Sequence, residues 1–324
     1  MISISVVIPL YNKAPHIDKA LDSVLAQTSP PDEIIVVDDG STDGGAELVV
    51  PYIEKHGVRL IRQANAGVSA ARNCGVSESN AEYIAFLDAD DFWLDKHLEM
   101  LRKLIESFPD ASLLSTAYVL ERGGRQYRPS SSYEDGFFGL VDDFFVRYAH
   151  GLCLINSITA CAKKRDLLEI GGFPVGVRRG EDIVCWINMA LKYPVAHAEV
   201  VTAVYYQDAV NRTDHRLRET EPPGSLQHIA ALLKTDWLTD EQRKGLALLF
   251  DRIAFFTAAG FRAQGDWAGL AAIRRLAWAT GRYRVGMLAA ALHWTPALLL
   301  RAAKTIRHPR VRRKAACVRT KAGG

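Results

Sequence analysis

The chain has 324 residues, of which 48% are hydrophobic and 24% charged, with a net charge of +3. That balance supports a folded core and excludes both a disordered chain and a membrane bundle. The charge is unevenly spread: residues 301–321 hold nine Lys/Arg and no acid, so the rest carries a net charge of −6. A near-neutral body with a basic end argues against a general nucleic-acid binder and for a local anionic partner.

In chain order, Ile2–Pro9 is an Ile/Val-rich run bounded by Pro, which predicts a strand buried on both faces. Ile17, Ala20, Leu21, Val24 and Leu25 fall at helical spacing. Ile34–Val37 predicts a second buried strand, so strand, helix and strand fit within 38 residues as a βαβ unit with parallel pairing. A helix around Ala46–His56 carries Pro51 and is expected to be short or kinked. Val58–Arg62 and Tyr83–Leu87 predict further strands, with a helix over Val68–Val76 between them. Leu94–Phe108 reads as helix and Ala111–Leu120 as strand. Residues 121–150 are expected to form a long loop. Ile183–Tyr193 reads as helix and Val200–Tyr206 as strand. Residues 226–306 show helical spacing interleaved with Arg and Trp, enough for three to five helices.

The fold class expected is therefore α/β, an open Rossmann-like sheet with a C-terminal helical extension. The division expected is a domain over residues 1–206, a linker or lid over 207–225, a helical region over 226–306 and a basic, disordered tail over 307–324. The five cysteines, Cys74, Cys153, Cys161, Cys185 and Cys317, form no Cys-x-x-Cys pair. A scattered odd set fits a reducing compartment. No signal segment is read at the start, and Val285–Leu300, broken by His293 and Pro296, is too short to span a bilayer. The location expected is cytoplasmic, or peripheral at the inner face of the cytoplasmic membrane.

In open α/β sheets, ligands sit beyond the C-terminal ends of the strands. Those ends deliver Pro9 to Asn12, Asp38 to Ser41, Arg62 to Asn65 with Arg72 beyond, and Asp88 to Asp91. Asp88 and Asp90 repel each other unless a cation holds them. A hard ion such as Mg²⁺ or Mn²⁺ suits two carboxylates and completes its shell with phosphates. A solvated acidic turn is the alternative, and the position at the end of a buried strand favours the metal. Asp38 and Asp39 are turn formers, one of which can accept a hydrogen bond from a nucleobase, and Tyr11 offers a face for that base. Glu181 and Asp182 open a helix, where acids are favoured by the dipole and where one could serve as a general base. No Gly-rich dinucleotide loop, P-loop or nucleophile elbow is present.

Together, VVIPLYN at 6–12, ALDSVLAQT at 20–28, EIIVVDDGSTD at 33–43, NAGVSAARNCG at 65–75, YIAFLDADDFW at 83–93 and GED at 180–182 resemble the inverting glycosyltransferases of family 2, which have the GT-A fold. The resemblance covers about residues 3–206. It implies that Tyr11 and Asp39 hold the donor's base and that Pro9 shapes the pocket. It also implies that Arg72 lies near the ribose or diphosphate, that Asp88 contacts donor and metal, and that Asp90 contacts the metal directly with support from Asp91. Asp182 matches the catalytic base, and Glu181 stays in play because some members place the essential acid one position earlier. The implied partners are a nucleotide-diphosphate sugar, a Mg²⁺ or Mn²⁺ ion, and a glycan or lipid-linked acceptor in surface polysaccharide or glycoconjugate synthesis. In some relatives a flexible basic segment closes on the diphosphate, which here falls on Arg212, His215, Arg216 and Arg218. The apolar stretch around Trp294 and the basic tail predict contact with an anionic membrane surface. The alternatives weighed are an inactive sugar-nucleotide-binding protein of the same fold and a nucleotidyltransferase; LYNKAP at 10–15 lacks the latter's Gly-rich basic loop.

Overall fold

The computed structural model describes residues 2–151, 154–210 and 221–292. The basic tail, Trp294, and Arg212 through Arg218 lie outside these, so the expectations placed on them are not addressed by the fold.

A single sheet runs β3-β2-β1-β4-β9-β6-β10-β5. Its parallel half comprises β1 (Ile4–Leu10), β2 (Glu33–Asp38), β3 (Arg59–Arg62) and β4 (Tyr83–Phe86). Along β1, Ile4, Val6, Ile8 and Leu10 enter one core cluster and Val7 enters the other. Both faces of the strand are therefore covered, and the run is apolar apart from buried Ser5, whose Oγ donates to Glu33 Oε2 at 2.6 Å. The first cluster lies under α1 (Ile17–Leu25) and α5 (His97–Ser107). The expected second helix is broken at Val49 into α2 (Gly45–Leu48) and α3 (Val50–His56), with Pro51 in the opening turn of α3, where its missing N–H costs nothing.

α4 (Val68–Glu78) packs closely on β1. A Cβ added at Gly75 would lie 2.4 Å from Val7 Cγ1. This contact sets the height of α4 and so places Arg72, three residues earlier, at the rim of the sheet.

The second half of the sheet departs from the predicted elements. β9 (Ala160–Lys163) runs antiparallel between β4 and β6 (Leu113–Arg122), followed by α7 (Lys164–Glu169). β9 is too short for its four residues to show a period. β5 (Phe92–Trp93) and β8 (Phe138–Leu140) pair antiparallel with β10 (Val195–Tyr206), which starts five residues before the strand expected there. The expected loop over 121–150 holds only in part, since about half of its residues form strand or helix and 128–137 form neither. β6 turns into β7 (Arg125–Tyr127) through Gly123 and Gly124, both at positive φ, the backbone a two-residue hairpin demands. α6 (Phe144–His150) buries Phe144, Phe145, Tyr148 and Ala149 at helical spacing.

α8 (Glu181–Lys192) is followed, after β10, by α9 (Gly224–Leu232), α10 (Asp240–Gln264), α11 (Trp267–Ala279) and α12 (Tyr283–Leu292). α10 opens on a reciprocal cap between Thr239 and Gln242. Leu226, Phe250 and Ile273 share a core cluster with Val7, Phe86 and Trp186, so these helices pack on the same core as the sheet. No helix among the described residues is long and apolar enough to cross a membrane.

Candidate active site

The rim of the parallel half gathers the charged residues. Beyond β1, Tyr11 is 39% exposed and Asn12 adopts a left-handed backbone, φ 52°. Asn is among the few side-chain-bearing residues that tolerate this region. Asn12 is held from the neighbouring loop: its N–H donates to Ser41 Oγ at 3.1 Å, and its Oδ1 accepts from the Thr42 N–H at 2.8 Å. Asp38 closes its own turn by accepting from the Ser41 N–H at 3.0 Å. Pro9, half-buried, lies within β1.

Asp39 is buried, and its backbone N–H pairs with Leu10 next to Tyr11. Its carboxylate accepts from Gln63 Nε2 at 2.7 Å, the Ala66 N–H at 2.8 Å and the Gly67 N–H at 2.9 Å. These bonds occupy three of about four acceptor positions on a carboxylate. Asp39 therefore fixes the entry to α4 and keeps an acceptor position on Oδ2.

Asp88 and Asp90 flank buried Ala89, and the Asp91 N–H closes the turn on the Asp88 carbonyl at 3.0 Å. Asp91 is buried, and its Oδ1 accepts from the Tyr206 N–H at 2.7 Å, tying the turn to the end of β10. Each member of the pair faces its own cation. Arg72 Nη2 donates to Asp88 Oδ1 at 2.7 Å, and Lys13 Nζ lies 2.5 Å from Asp90 Oδ2. Arg72 Nη1 also reaches Glu181 Oε1 at 3.2 Å, and its guanidinium lies over the Phe173 ring. Burial opposes the charge on Arg72, but Asp88, Glu181 and Asp182 outweigh it and hold the guanidinium above its ordinary range.

Arg72 thus joins the acidic turn to the first turn of α8. Gly180 precedes that helix in a left-handed conformation, and a Cβ there would lie 2.5 Å from Ser225 Oγ on α9. Both the backbone and the close approach of α9 require glycine. Burial, then the charge of Asp182, raise the Glu181 carboxyl to about 7 against the pull of Arg72. Burial likewise raises Asp182, again opposed by Arg72. Asp182 Oδ1 accepts from the Ile183 N–H at 2.8 Å, and among the described residues Oδ2 receives a long contact, 3.5 Å, from Ser157 Oγ.

The structure therefore brings Arg72, Asp88, Glu181 and Asp182 into one cluster, with Asp90 on the same turn as Asp88. Sequence reasoning missed Lys13, Gln63 and Ser157. Lys13 had a signal, a cation four residues after Pro9 at the same sheet edge; Gln63 and Ser157 had none. Among the described residues, no group of three or more His, Cys, Asp or Glu side chains is placed to hold a metal.

A family model described as glycosyl transferase family 2 matches residues 5–164. An uncharacterized glycosyltransferase of Rickettsia felis is 32% identical over 190 residues, 58% of this chain and 30% of the relative. The glycosyltransferase GlyA of Streptococcus pneumoniae is 41% identical over 106 residues, 32% of this chain and 15% of the relative. The chain thus spans less than a third of these relatives' length. Among solved structures, TarS 1–349 of S. aureus in complex with UDP-GlcNAc superposes with a TM-score of 0.73 at 20% identity, over 95% of this chain and 89% of that one. The mannosyltransferase PcManGT of Pyrobaculum calidifontis, in complex with GDP-Man and Mn²⁺, gives a TM-score of 0.60 at 20% identity, over 94% and 83%. With the strand-end motifs, the Asp-x-Asp turn and this sheet in hand, residues 5–164 form a glycosyltransferase family 2 domain, and the chain has the GT-A fold.

Proposed function

We propose that the chain transfers a sugar from a nucleotide-diphosphate donor to an acceptor hydroxyl with inversion, assisted by a divalent cation. The observation that carries this is the shared guanidinium of Arg72, which links Asp88 of the acidic turn to Glu181 at the opening of α8. A diphosphate-facing turn and a base-bearing helix end then border one crevice. The bound nucleotides of TarS and PcManGT, UDP-GlcNAc and GDP-Man, support the donor class.

In this reading Tyr11 and the acceptor position left on Asp39 receive the base, with Pro9 shaping the pocket and Arg72 near the diphosphate. Asp182 is the base: Glu181 is engaged by Arg72, whereas Asp182 makes no ion pair among the described residues. Asp182 removes the proton of the acceptor hydroxyl, whose oxygen attacks the anomeric carbon opposite the diphosphate. The bond from that carbon to the diphosphate oxygen breaks, and the configuration inverts. Asp88 and Asp90 fit Mg²⁺ or Mn²⁺, which take oxygen ligands and complete their shells with phosphates. When bound, the cation supplies neutralisation of the charge on the departing diphosphate.

Donor binding is read by thermal shift with nucleotide sugars in Mn²⁺. A matching donor at about 100 times its Kd adds about 2.7 kcal/mol of stability, and the shift should shrink in Asp39→Ala. No shift with any nucleotide would sink the reading; a shift without turnover would point to an inactive sugar-nucleotide-binding protein.

The acceptor proposed is a glycan or lipid-linked molecule at the cytoplasmic membrane face, in surface polysaccharide or glycoconjugate synthesis. Trp267, Trp278, Tyr283, Met287 and Leu288 are exposed on α11 and α12. From Trp267 onward the sequence holds thirteen Lys/Arg and no Asp or Glu. Aromatic and basic side chains without acids suit an anionic bilayer surface. Co-sedimentation with anionic liposomes at low salt is expected for the full chain and should weaken for a version ending at Thr295; equal sedimentation of both, or none, removes anchoring by the tail.

A further inference from the structure

Among the described residues Lys13 is the cation that meets Asp90, and it is freer than Arg72 to change partner. Arg72 cannot leave Asp88 easily: its side chain is 3% exposed and a second carboxylate, Glu181, holds it. Removing one partner from such a buried pair strands a charge. Lys13 meets Asp90 nearer to solvent, with 14% of its side chain and 16% of that of Asp90 exposed, and its ammonium sits on a flexible four-carbon stem. Its remaining partner is the Val210 carbonyl, at 3.0 Å. The preceding residue is built to aim it, since Asn12 holds its left-handed backbone through Ser41 and Thr42. Such conformations persist only where the surroundings enforce them.

Lys13 Nζ lies against Asp90 Oδ2, so the ammonium and a divalent ion bound to Asp90 would compete for one carboxylate. Two positive charges at one carboxylate repel, and the movable one yields. Its nearest new counter-charge is the diphosphate that arrives with the metal. We propose that Lys13 is a positioning residue that neutralises Asp90 in the donor-free protein and turns onto the donor's diphosphate when a divalent cation takes Asp90. The proposal rests on the reading of Asp88 and Asp90 as the cation- and diphosphate-facing pair. It gives this site an order of occupation: metal and nucleoside diphosphate are favoured together, and metal alone is disfavoured by a cation already in place.

The test measures two affinities on the full chain. Mn²⁺ binding without nucleotide is followed by electron paramagnetic resonance of the free ion, and UDP and GDP binding in saturating Mn²⁺ by calorimetry. Lys13→Ala is expected to bind Mn²⁺ alone about tenfold more tightly and the nucleoside diphosphate about tenfold more weakly, each the size of one charge-assisted contact. Lys13→Arg, which keeps the charge, should stay near wild type in both. An ordinary surface ion pair would move neither affinity. Lys13→Ala that folds by circular dichroism and binds Mn²⁺ no tighter than wild type overturns the proposal, as does a Lys13→Ala nucleotide affinity equal to wild type. If neither protein binds Mn²⁺ alone, the competition is refuted, while nucleotide binding by wild type in Mn²⁺ still stands as the separate test of the donor site.

Discussion

Asp182→Asn is expected to keep the fold and the donor affinity while turnover falls by about 10²-fold or more, the usual contribution of a positioned general base. The substitution preserves shape, and the new side-chain oxygen can still accept from the Ile183 N–H as Asp182 Oδ1 does. The capacity to take a proton is lost, together with a negative charge that Arg72 and Glu181 feel. The pH profile sharpens the assignment. Burial raises both acids of the pair, Glu181 to about 7. A base works deprotonated, so wild-type kcat/KM should be low on the acid side and rise at a pH above the ordinary carboxylate range, because burial raises both acids. That limb should vanish in Asp182→Asn. Glu181→Gln has a different signature: it frees one arm of Arg72, so it should weaken donor binding more than it slows the bound complex. A crippled Glu181→Gln beside a nearly normal Asp182→Asn would move the base back one residue.

Asp90→Ala is expected to abolish turnover and weaken nucleotide binding in Mn²⁺. The variant leaves Asp88 alone at the turn, already engaged by Arg72, and leaves Lys13 without its carboxylate. The fold should survive, because Asp90 lies beyond the end of β4 and its ion pair with Lys13 is partly exposed. Retained nucleotide affinity in Asp90→Ala would place the metal elsewhere.

The parallel half of the sheet was legible because its physics is local. Ile4 to Leu10 and Ile34 to Val37 are covered on both faces, so they read as runs rich in Ile and Val, and acidic Asp38 and Asp39 follow at the C-terminal edge. The Asp88–Asp90 turn and the Glu181–Asp182 helix start were visible for the same reason, as charges placed where a strand or helix pattern changes. The antiparallel half was not. Ala160–Lys163 is only four residues, and its place between β4 and β6 depends on partners far away in sequence. Residues 121–150 misled because charge and glycine suggested a loop, whereas Gly123 and Gly124 form a hairpin turn. Asp39 was read as a nucleobase acceptor, and sequence could not reveal that Gln63, Ala66 and Gly67 claim most of its carboxylate. Nor could spacing alone show that Arg72 bridges two acids 93 residues apart, Asp88 and Glu181.

The central claim is metal-assisted sugar transfer from a nucleotide donor at the Asp88–Asp90 turn. Its most direct measurement is release of nucleoside diphosphate from a panel of nucleotide sugars, in Mn²⁺ and in excess EDTA, for wild type and Asp90→Ala. The account predicts release by wild type in Mn²⁺ with at least one donor, and none in EDTA or with Asp90→Ala. Full activity of wild type in excess EDTA, or of Asp90→Ala in Mn²⁺, would contradict it.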